Sequence, residues 1–363
     1  MKRNVAVLSL FLALLTLSGC GFKDIDKRFF VVGTGIDWSG NESKPYRITL
    51  QLAIPSPKIE PGASKIQYET IDAPTIAEGV RMLKAYVDKE LDFGHCKMMI
   101  IGEELAKRDI NHSIDWMLRR RDIQSVATLA VGRPTAENVL HVQPASERYP
   151  GNSLLLSFGA DGTESSYNYA ETLSGLSRRV TEKGMDPVLA IITNDGKESY
   201  VINQVALFDK SKIKLILSPT ETQLFNQMSD HFTKASMHGM FKGTPMVIAI
   251  NQLNSSFRIN EKTDPLLIAV KIKMDVVFEE APSGLFDKPW QPVEDALASE
   301  YEKAAITLLK KIQRHGIDPF GFGLRYRATH SSANSWQNWT QLYPDAKFNV
   351  EAMVKIEGTG LIR

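Results

Sequence analysis

The chain has 363 residues, with 43 Lys or Arg against 42 Asp or Glu, so its formal net charge is +1. That balance argues against a nucleic-acid binder, which carries a clear basic excess; two cysteines in a chain this long exclude a disulfide-stapled scaffold. A hydrophobic content of 43% supports real cores, and the length suggests two or three domains.

The first predicted element is a leader over residues 1–19. Lys2 and Arg3 precede thirteen apolar or small residues at 5–17, the pattern of an export signal and too short for a membrane-spanning helix. It ends at Leu17-Ser18-Gly19-Cys20. Small residues at 18 and 19 open the bond before Cys20 to a peptidase, and the thiol there is open to alkylation by a diacylglyceryl group. An ordinary export site would want small residues one and three positions before the cut, which Gly19 and Leu17 serve poorly. The segment therefore resembles a bacterial lipoprotein lipobox, with cleavage between Gly19 and Cys20 and S-diacylglyceryl and N-acyl groups on Cys20. Two acyl chains hold a protein on a bilayer stably. Loss of Lys2 and Arg3 leaves 41 basic against 42 acidic side chains, and Cys96 has no disulfide partner. No second apolar stretch of about 18 residues follows.

Residues 20–28 read as a tether, at most about 30 Å long when extended. Residues 29–196 read as an N-terminal mixed α/β domain. Strands at 28–37 and 46–54 make a hairpin across Ser39-Gly40-Asn41, the second alternating Tyr46, Ile48, Leu50, Leu52 and Ile54 against Arg47, Thr49 and Gln51. After a Pro-rich loop at 54–62, a strand at 66–71 leads into a helix whose apolar positions are Ile76, Val80, Leu83 and Val87. A buried strand at 96–101, helices at 103–107 and 113–120, a strand at 125–131 and a short helix at 135–140 follow. Strand and helix alternation implies a sheet with helices packed on it, made mixed by the hairpin. The polar stretch at 151–185 reads as a flexible connection or as a helical layer closing the domain, the second favoured because Leu154 to Leu156, Leu173 and Leu176 need burial; it ends at Gly184-Met185-Asp186-Pro187, where Gly caps and Pro prevents resumption. A strand at 188–193 closes this part.

Residues 197–363 read as a largely antiparallel α+β region, with a further division near 260–285 left open. Strands at 200–208 and 213–217 precede Ser218-Pro219-Thr220-Glu221, a capping box with Pro in the first helical position. Strands are expected near 231–241, 246–253 and 256–260, and over 268–278, where Ile268, Val270, Ile272, Met274, Val276 and Phe278 share one face. A helix over 292–315 covers it with Leu297, Tyr301, Leu308 and Ile312; Glu294, Asp295 and Glu300 lie toward its start and Lys310, Lys311 and Arg314 at its end. It stops at Gly316-Ile317-Asp318-Pro319, the same device as at 184–187. A polar loop at 329–335 and an alternating strand at 348–357 finish the chain.

Catalytic signatures are not evident. Gly33-Thr34-Gly35 lacks the third glycine and following helix of a phosphate loop, and Gly321-Phe322-Gly323 follows a helix instead of opening one. Cys96, beside His95, lies in an apolar run and reads as a core thiol. No metalloprotease helix pair and no Gly-x-Ser-x-Gly elbow occur, and neither a cofactor nor a metal is indicated. Arg119-Arg120-Arg121 reads first as a helix end complementing its dipole, with contact to anionic lipid or an acidic partner as the second reading. Trp336 and Trp339 read as core.

The lipobox at Cys20, Val32-Gly33-Thr34-Gly35-Ile36-Asp37, Phe93-Gly94-His95-Cys96-Lys97, Ile101-Gly102-Glu103-Glu104-Leu105-Ala106 and Asp318-Pro319-Phe320-Gly321-Phe322-Gly323, in that order, resemble the Ger(x)C family, the C-type lipoprotein subunits of spore germinant receptors. Many members follow the lipid cysteine with Trp-Asp; here Gly21-Phe22 stands there. The resemblance implies a non-enzymatic, multi-domain mixed α/β subunit on the outer face of the spore inner membrane, partnered by A-type and B-type integral membrane subunits, with a scaffold or signal-relay role. The competing reading is a solute-binding lipoprotein of a transporter, which needs two α/β lobes around a cleft.

Overall fold

The computed structural model describes residues 27–54, 65–142, 144, 150–158, 165–195, 199–229, 235–282, 284–285, 289–330 and 332–359. Strands β1 (Arg28–Trp38), β2 (Tyr46–Ile54) and β3 (Lys65–Ala73) form an antiparallel meander. Strands β5 (Met98–Gly102), β6 (Thr128–Arg133) and β8 (Val188–Asn194) extend it in parallel from the other side of β1. β9 (Tyr200–Phe208) then adds antiparallel to β8, and β10 (Ile213–Ile216) antiparallel to β9, giving the order β10-β9-β8-β6-β5-β1-β2-β3. Two short strands attach to this path, β4 (Glu90–Asp92) beside β1 and β7 (Glu171–Thr172) beside β6. The four parallel strands β1, β5, β6 and β8 all begin at one edge of the sheet, the start edge.

Both faces are covered, which explains the near-continuous apolar runs of β5, β6 and β8. Helices α1 (Ile76–Leu83), α2 (Glu103–Ala106) and α3 (Asn111–Arg119) contribute Val80, Leu83, Leu105, Ile114 and Met117 to the core on one face. Helices α4 (Ala136–Leu140) and α5 (Pro150–Phe158) lie on the other. Because α4 packs there, the polar side of β2 is also buried: Gln51 is 1% exposed and its amide donates to the Leu140 carbonyl at 3.3 Å. Helix α6 (Leu173–Thr181) runs along the start edge, and buries Leu173 and Leu176 as their sequence required.

A second sheet holds β11 (Ala235–Phe241), β12 (Thr244–Asn260), β13 (Leu267–Glu280) and β14 (Lys347–Gly358) in that order. β12 is one 17-residue strand where the sequence suggested two. The polar stretch Asn254-Ser255-Ser256 looks like a break but pairs regularly with Lys273, Ile272 and Lys271 of β13, and the two irregularities fall earlier, between Val247 and Ile248 and between Ile250 and Gln252. β13 and β14 are parallel, so the sheet is antiparallel except for this pair. Helix α8 (Gln291–Arg314) makes the crossover between them and buries Leu297, Tyr301, Leu308, Leu309 and Ile312, each large apolar side chain contributing ~1.5–3 kcal/mol. It also protects the sheet edge: Glu302 and Glu294 accept from the outward N–H groups of Ala352 (2.9 Å) and Ile356 (2.7 Å).

Helix α7 (Pro219–Met228) carries the full capping box of Ser218 and Glu221 and joins the two halves. Its Phe225 and Met228 belong to a core that runs without interruption from the large sheet into the second one, and Glu221 takes two bonds from Lys311 of α8, at 2.7 and 2.9 Å. Helices α9 (Phe322–Thr329) and α10 (Ser335–Leu342) occupy the stretch before β14. The chain thus has a mixed α/β fold, with one α/β layer and one smaller sheet carrying a long helix.

Candidate functional site

The two Gly-x-Asp-Pro sequences, 132 residues apart, are brought face to face. Both glycines take the left-handed backbone, φ 87° at Gly184 and 68° at Gly316; Gly316 follows the end of α8 directly, whereas α6 already stops at Thr181 with Glu182 extended, so Gly184 turns the loop and does not cap the helix as its sequence suggested. The Asp186 N–H donates to the Asp318 carbonyl at 2.9 Å, and the Asp318 N–H donates to Asp186 Oδ2 at 2.6 Å. Next to them the Leu324 N–H donates to the Gly184 carbonyl at 2.8 Å. Any Cβ on Gly184 would overlap the carbonyl carbon of Gly323 and lie 2.5 Å from the nitrogen of Leu324. The two chain segments are in backbone contact, which requires glycine.

Asp318 is the hub of this joint. Its carboxylate accepts from the N–H groups of Gly321 (3.0 Å), Phe322 (3.1 Å) and Gly323 (2.6 Å), three orphan donors at the start of α9. Burial nevertheless pushes its carboxyl up to about 7, against the pull of those three bonds. Burial also raises Asp186 and lowers Lys210, which pairs with Asp186 at 3.3 Å; each thereby loses some of its preference for the charged form. Lys210 further donates to the carbonyls of Arg179 (2.6 Å), Glu182 (2.7 Å) and Met185, and so stitches the β9–β10 turn to the first loop. Arg179 reaches across both loops, donating to the Asp186 carbonyl at 3.1 Å and the Pro319 carbonyl at 3.0 Å while pairing with the buried Glu171 at 2.9 Å. Beside this polar knot, rings follow one another from the first half to the second: Tyr169 to Phe225 at 5.9 Å, Phe225 to Phe320 at 4.9 Å, Phe320 to Phe322 at 5.6 Å and Phe322 to Phe348 at 6.0 Å.

A second knot explains the Val-Gly-Thr-Gly-Ile-Asp strand. Asp37, 2% exposed, accepts from the N–H groups of Ala136 (2.7 Å) and Glu137 (2.9 Å) at the start of α4. Burial raises its carboxyl to about 6. Side chains at Gly33 and Gly35 would crowd Leu140 and Ala136 at 2.8 to 3.0 Å, so these glycines admit α4 to the sheet. Gly102 leaves the space that the Asp37 carboxylate fills. None of these pairings is local, and the sequence pointed only to the motifs.

The remaining sequence candidates fall as follows. Cys96 lies just ahead of β5, 1% exposed, with its sulfur 3.2 Å from the Thr34 hydroxyl; burial pushes its thiol up to about 12. Accordingly, Cys96 in the folded protein is expected to stay unmodified by Ellman's reagent at pH 8 and to react stoichiometrically in denaturant; rapid labelling of the native chain would refute the assignment. Arg120 stacks on Phe93 with its guanidinium 4.2 Å from the ring and pairs with Asp122 at 2.6 Å, whereas Arg119 and Arg121 are exposed. Trp339 is buried between Tyr326 and Tyr343, and Trp336 is only partly covered. Among the described residues no group of three or more His, Cys, Asp or Glu side chains is placed to hold a metal ion. A cavity of about 420 Å³ opens beside the joint, lined by Arg178, Met185, Phe257, Phe320, Phe322 and Arg325 among others. Cys20, the leader and residues 55–64 of the Pro-rich loop lie outside the described residues. No helix among those described is long and apolar enough to cross a membrane.

Residues 21–194 match the family model described as the spore germination protein N-terminal domain, and residues 203–360 match the one described as spore germination B3/GerAC like, C-terminal. The gap between the two matches falls at the β8–β9 turn, so the second match starts with β9 and β10, which complete the large sheet. The chain is 24% identical over 390 residues to the putative spore germination protein YfkR of Bacillus subtilis (strain 168), covering 100% of this chain and 98% of that one. It is 25% identical over 399 residues to spore germination protein KC of the same organism, covering 99% and 96%. A crystal structure of the GerBC protein superposes with a TM-score of 0.60 at 16% identity, over 92% of this chain and 100% of the other, which shows a shared fold. With both of its halves matched in order along the chain, the protein belongs to the Ger(x)C family of spore germination proteins.

Proposed function

We propose that this chain is the C-type subunit of a spore germinant receptor, a non-enzymatic lipoprotein held by Cys20 on the outer face of the spore inner membrane. There it works beside A-type and B-type integral membrane subunits as a scaffold or signal relay. The observation that carries this reading is the ordered family match from residue 21 to residue 360, beginning one residue after the lipobox cysteine. The joint supports a relay, since Asp186, Asp318, Arg179 and Lys210 link the two halves through direct hydrogen bonds and an ion pair. Buried carboxylates at 37 and 318 are committed to backbone N–H groups and are not presented to a substrate. The second sheet is not a second α/β lobe, which disfavours a transporter binding protein.

The test is Cys20→Ala in sporulating cells. The variant is expected to fall at least about tenfold in the spore membrane fraction, because an unlipidated N-terminus replaces the acyl chains of the anchor, and nutrient-triggered germination should slow with it. A protein that stays fully membrane-bound and supports normal germination would overturn the reading. Mass measurement of the N-terminal peptide, with or without a diacylglyceryl group, reports on Cys20 directly.

A further inference from the structure

Four of the seven exposed large apolar side chains among the described residues lie on segments at the start edge of the large sheet: Met82, Tyr86, Leu118 and Val126, the last 67% exposed. They come from three stretches far apart in sequence, the end of α1 with its following turn, the end of α3, and the turn before β6. Contacts join these stretches into one surface around the first residues of β1. Arg28 pairs with Asp92, Phe30 packs against His95 at 4.6 Å, Gln124 donates to the Gly94 carbonyl at 2.8 Å, and the Thr128 N–H donates to the Lys97 carbonyl at 2.8 Å. Lys84 pairs with Glu90, which sits next to Arg28 in the β1–β4 ladder.

Charge on this surface is unbalanced. Its acids are Asp88, Asp115, Glu90, Asp92 and Asp122, and the last three are already matched by Lys84, Arg28 and Arg120. Lys97, Arg119 and Arg121 are exposed and make no ion pair among the described residues, with Asp88 and, one helical turn before Arg119, Asp115 the unmatched acids nearby. Apolar and aromatic side chains interleaved with basic ones suit the boundary between lipid headgroups and acyl chains, where the rings enter and the cations meet phosphate.

The chain itself delivers this surface to a membrane. Cys20 stands seven residues before Lys27, and β1 enters the sheet at this edge. An extended link of that length spans about 25 Å at most, so the start edge is the part of the body that an anchored Cys20 keeps closest to the bilayer.

We infer that the start edge, built from residues 82–89, 95–97 and 118–126, rests on an anionic lipid surface, with Tyr86, Leu118 and Val126 entering the headgroup layer and Lys97, Arg119 and Arg121 binding lipid phosphates. This rests on the anchored reading above and adds an orientation to it: the body stands on this face, with β3 at one side and the second sheet at the other. A protein partner on the same face is the competing occupant.

The test uses the mature chain carrying Cys20→Ser, so that attachment by acyl groups plays no part, and vesicles of phosphatidylcholine with or without 30 mol% phosphatidylglycerol. Cosedimentation is expected with the anionic vesicles, weakening as salt rises. Each basic residue near an anionic surface contributes about fivefold in partitioning, so Arg119→Gln with Arg121→Gln should lower binding at least tenfold, while thermal unfolding stays that of the parent. Tyr86→Ser with Val126→Ser should weaken binding in the same vesicles. Equal binding to neutral and anionic vesicles, no binding to either, or unchanged binding by the double arginine variant would each overturn the inference. So would variants that lose germination while binding vesicles normally, which is the result a protein partner would give. Because the chain tested is unlipidated, failure here leaves the Cys20→Ala result untouched, and the reverse also holds.

Discussion

Alanine at position 102 is expected to destabilise the protein by about 3–5 kcal/mol, measured by urea unfolding of the mature chain. The backbone of Gly102 is ordinary for any residue, with φ −62° and ψ 144°, so conformational strain plays no part. Space does. An added Cβ would overlap Oδ1 of Asp37 and lie 2.9 Å from its Cγ, forcing the carboxylate away from the Ala136 and Glu137 N–H groups it holds at 2.7 and 2.9 Å. Two helix-start donors and a buried carboxylate would then be left unmatched at once. A double-mutant cycle makes the argument specific. In an Asp37→Ala background the same Gly102→Ala change should cost less than about 1 kcal/mol, because the atom it strikes is gone. If the two penalties simply add, the steric account is wrong.

Stability should also decline as pH rises from about 4 to about 7, and Asp318→Asn should reduce the upper part of that decline. Burial lifts the Asp318 carboxyl to about 7 and that of Asp37 to about 6 in the folded chain, whereas both sit near 3.9 when unfolded. Between those limits the native state holds protons that the unfolded state has released, so unfolding gains with every step up in pH. The stabilisation is fully present below about pH 4 and is lost as pH passes each folded value. At ~1.4 kcal/mol per unit, Asp318 alone accounts for up to ~4 kcal/mol over this window. Above pH 6 only Asp318 of the two still titrates, so the variant's urea midpoint should fall less steeply from pH 6 to 8 than the parent's, the raised His330 contributing equally to both. A parent whose midpoint rises across that interval, or a variant with the parent's slope, would contradict the assignment. The variant should be weaker than the parent at pH 5, since an amide nitrogen must then face one of the three N–H groups of Gly321, Phe322 and Gly323.

Elements whose evidence is local were readable in the residues. The alternation of β2, β13 and β14, the capping box at Ser218 and the apolar stripe of α8 each follow from a period or a spacing within one segment. β12 was misread because polar residues at 254–256 imitate a turn, when in fact their partners on β13 supply the pairing. Long-range placement was less legible. That β9 and β10 complete the large sheet, before the chain leaves for the second one, depends on which edge of β8 is free, and no residue of β9 states it. The joint shows the same division. Both Gly-x-Asp-Pro sequences read as helix terminators, which holds for the second alone, since α6 ends at Thr181; their mutual hydrogen bonds, and the reach of Arg179 to both loops, arise only when 132 intervening residues bring the loops together. Gly102 stood in a recognisable motif whose reason is a carboxylate 65 positions earlier, at Asp37.

The placement of β1 carries a mechanical consequence. It is an interior strand, paired with β2 along one side and with β4 and β5 along the other, and its first residue faces the N-terminal link. Tension applied from that link acts along the strand, at right angles to the hydrogen bonds of the antiparallel β2 ladder and across the slanted ones of the parallel β4 and β5 ladders. Both ladders are therefore loaded in shear and must yield together, whereas a strand at the rim pulled sideways would peel one pair at a time. Force arriving at residue 28 spreads through the whole sheet, and through the core it shares with the second half, before any part of β1 gives way.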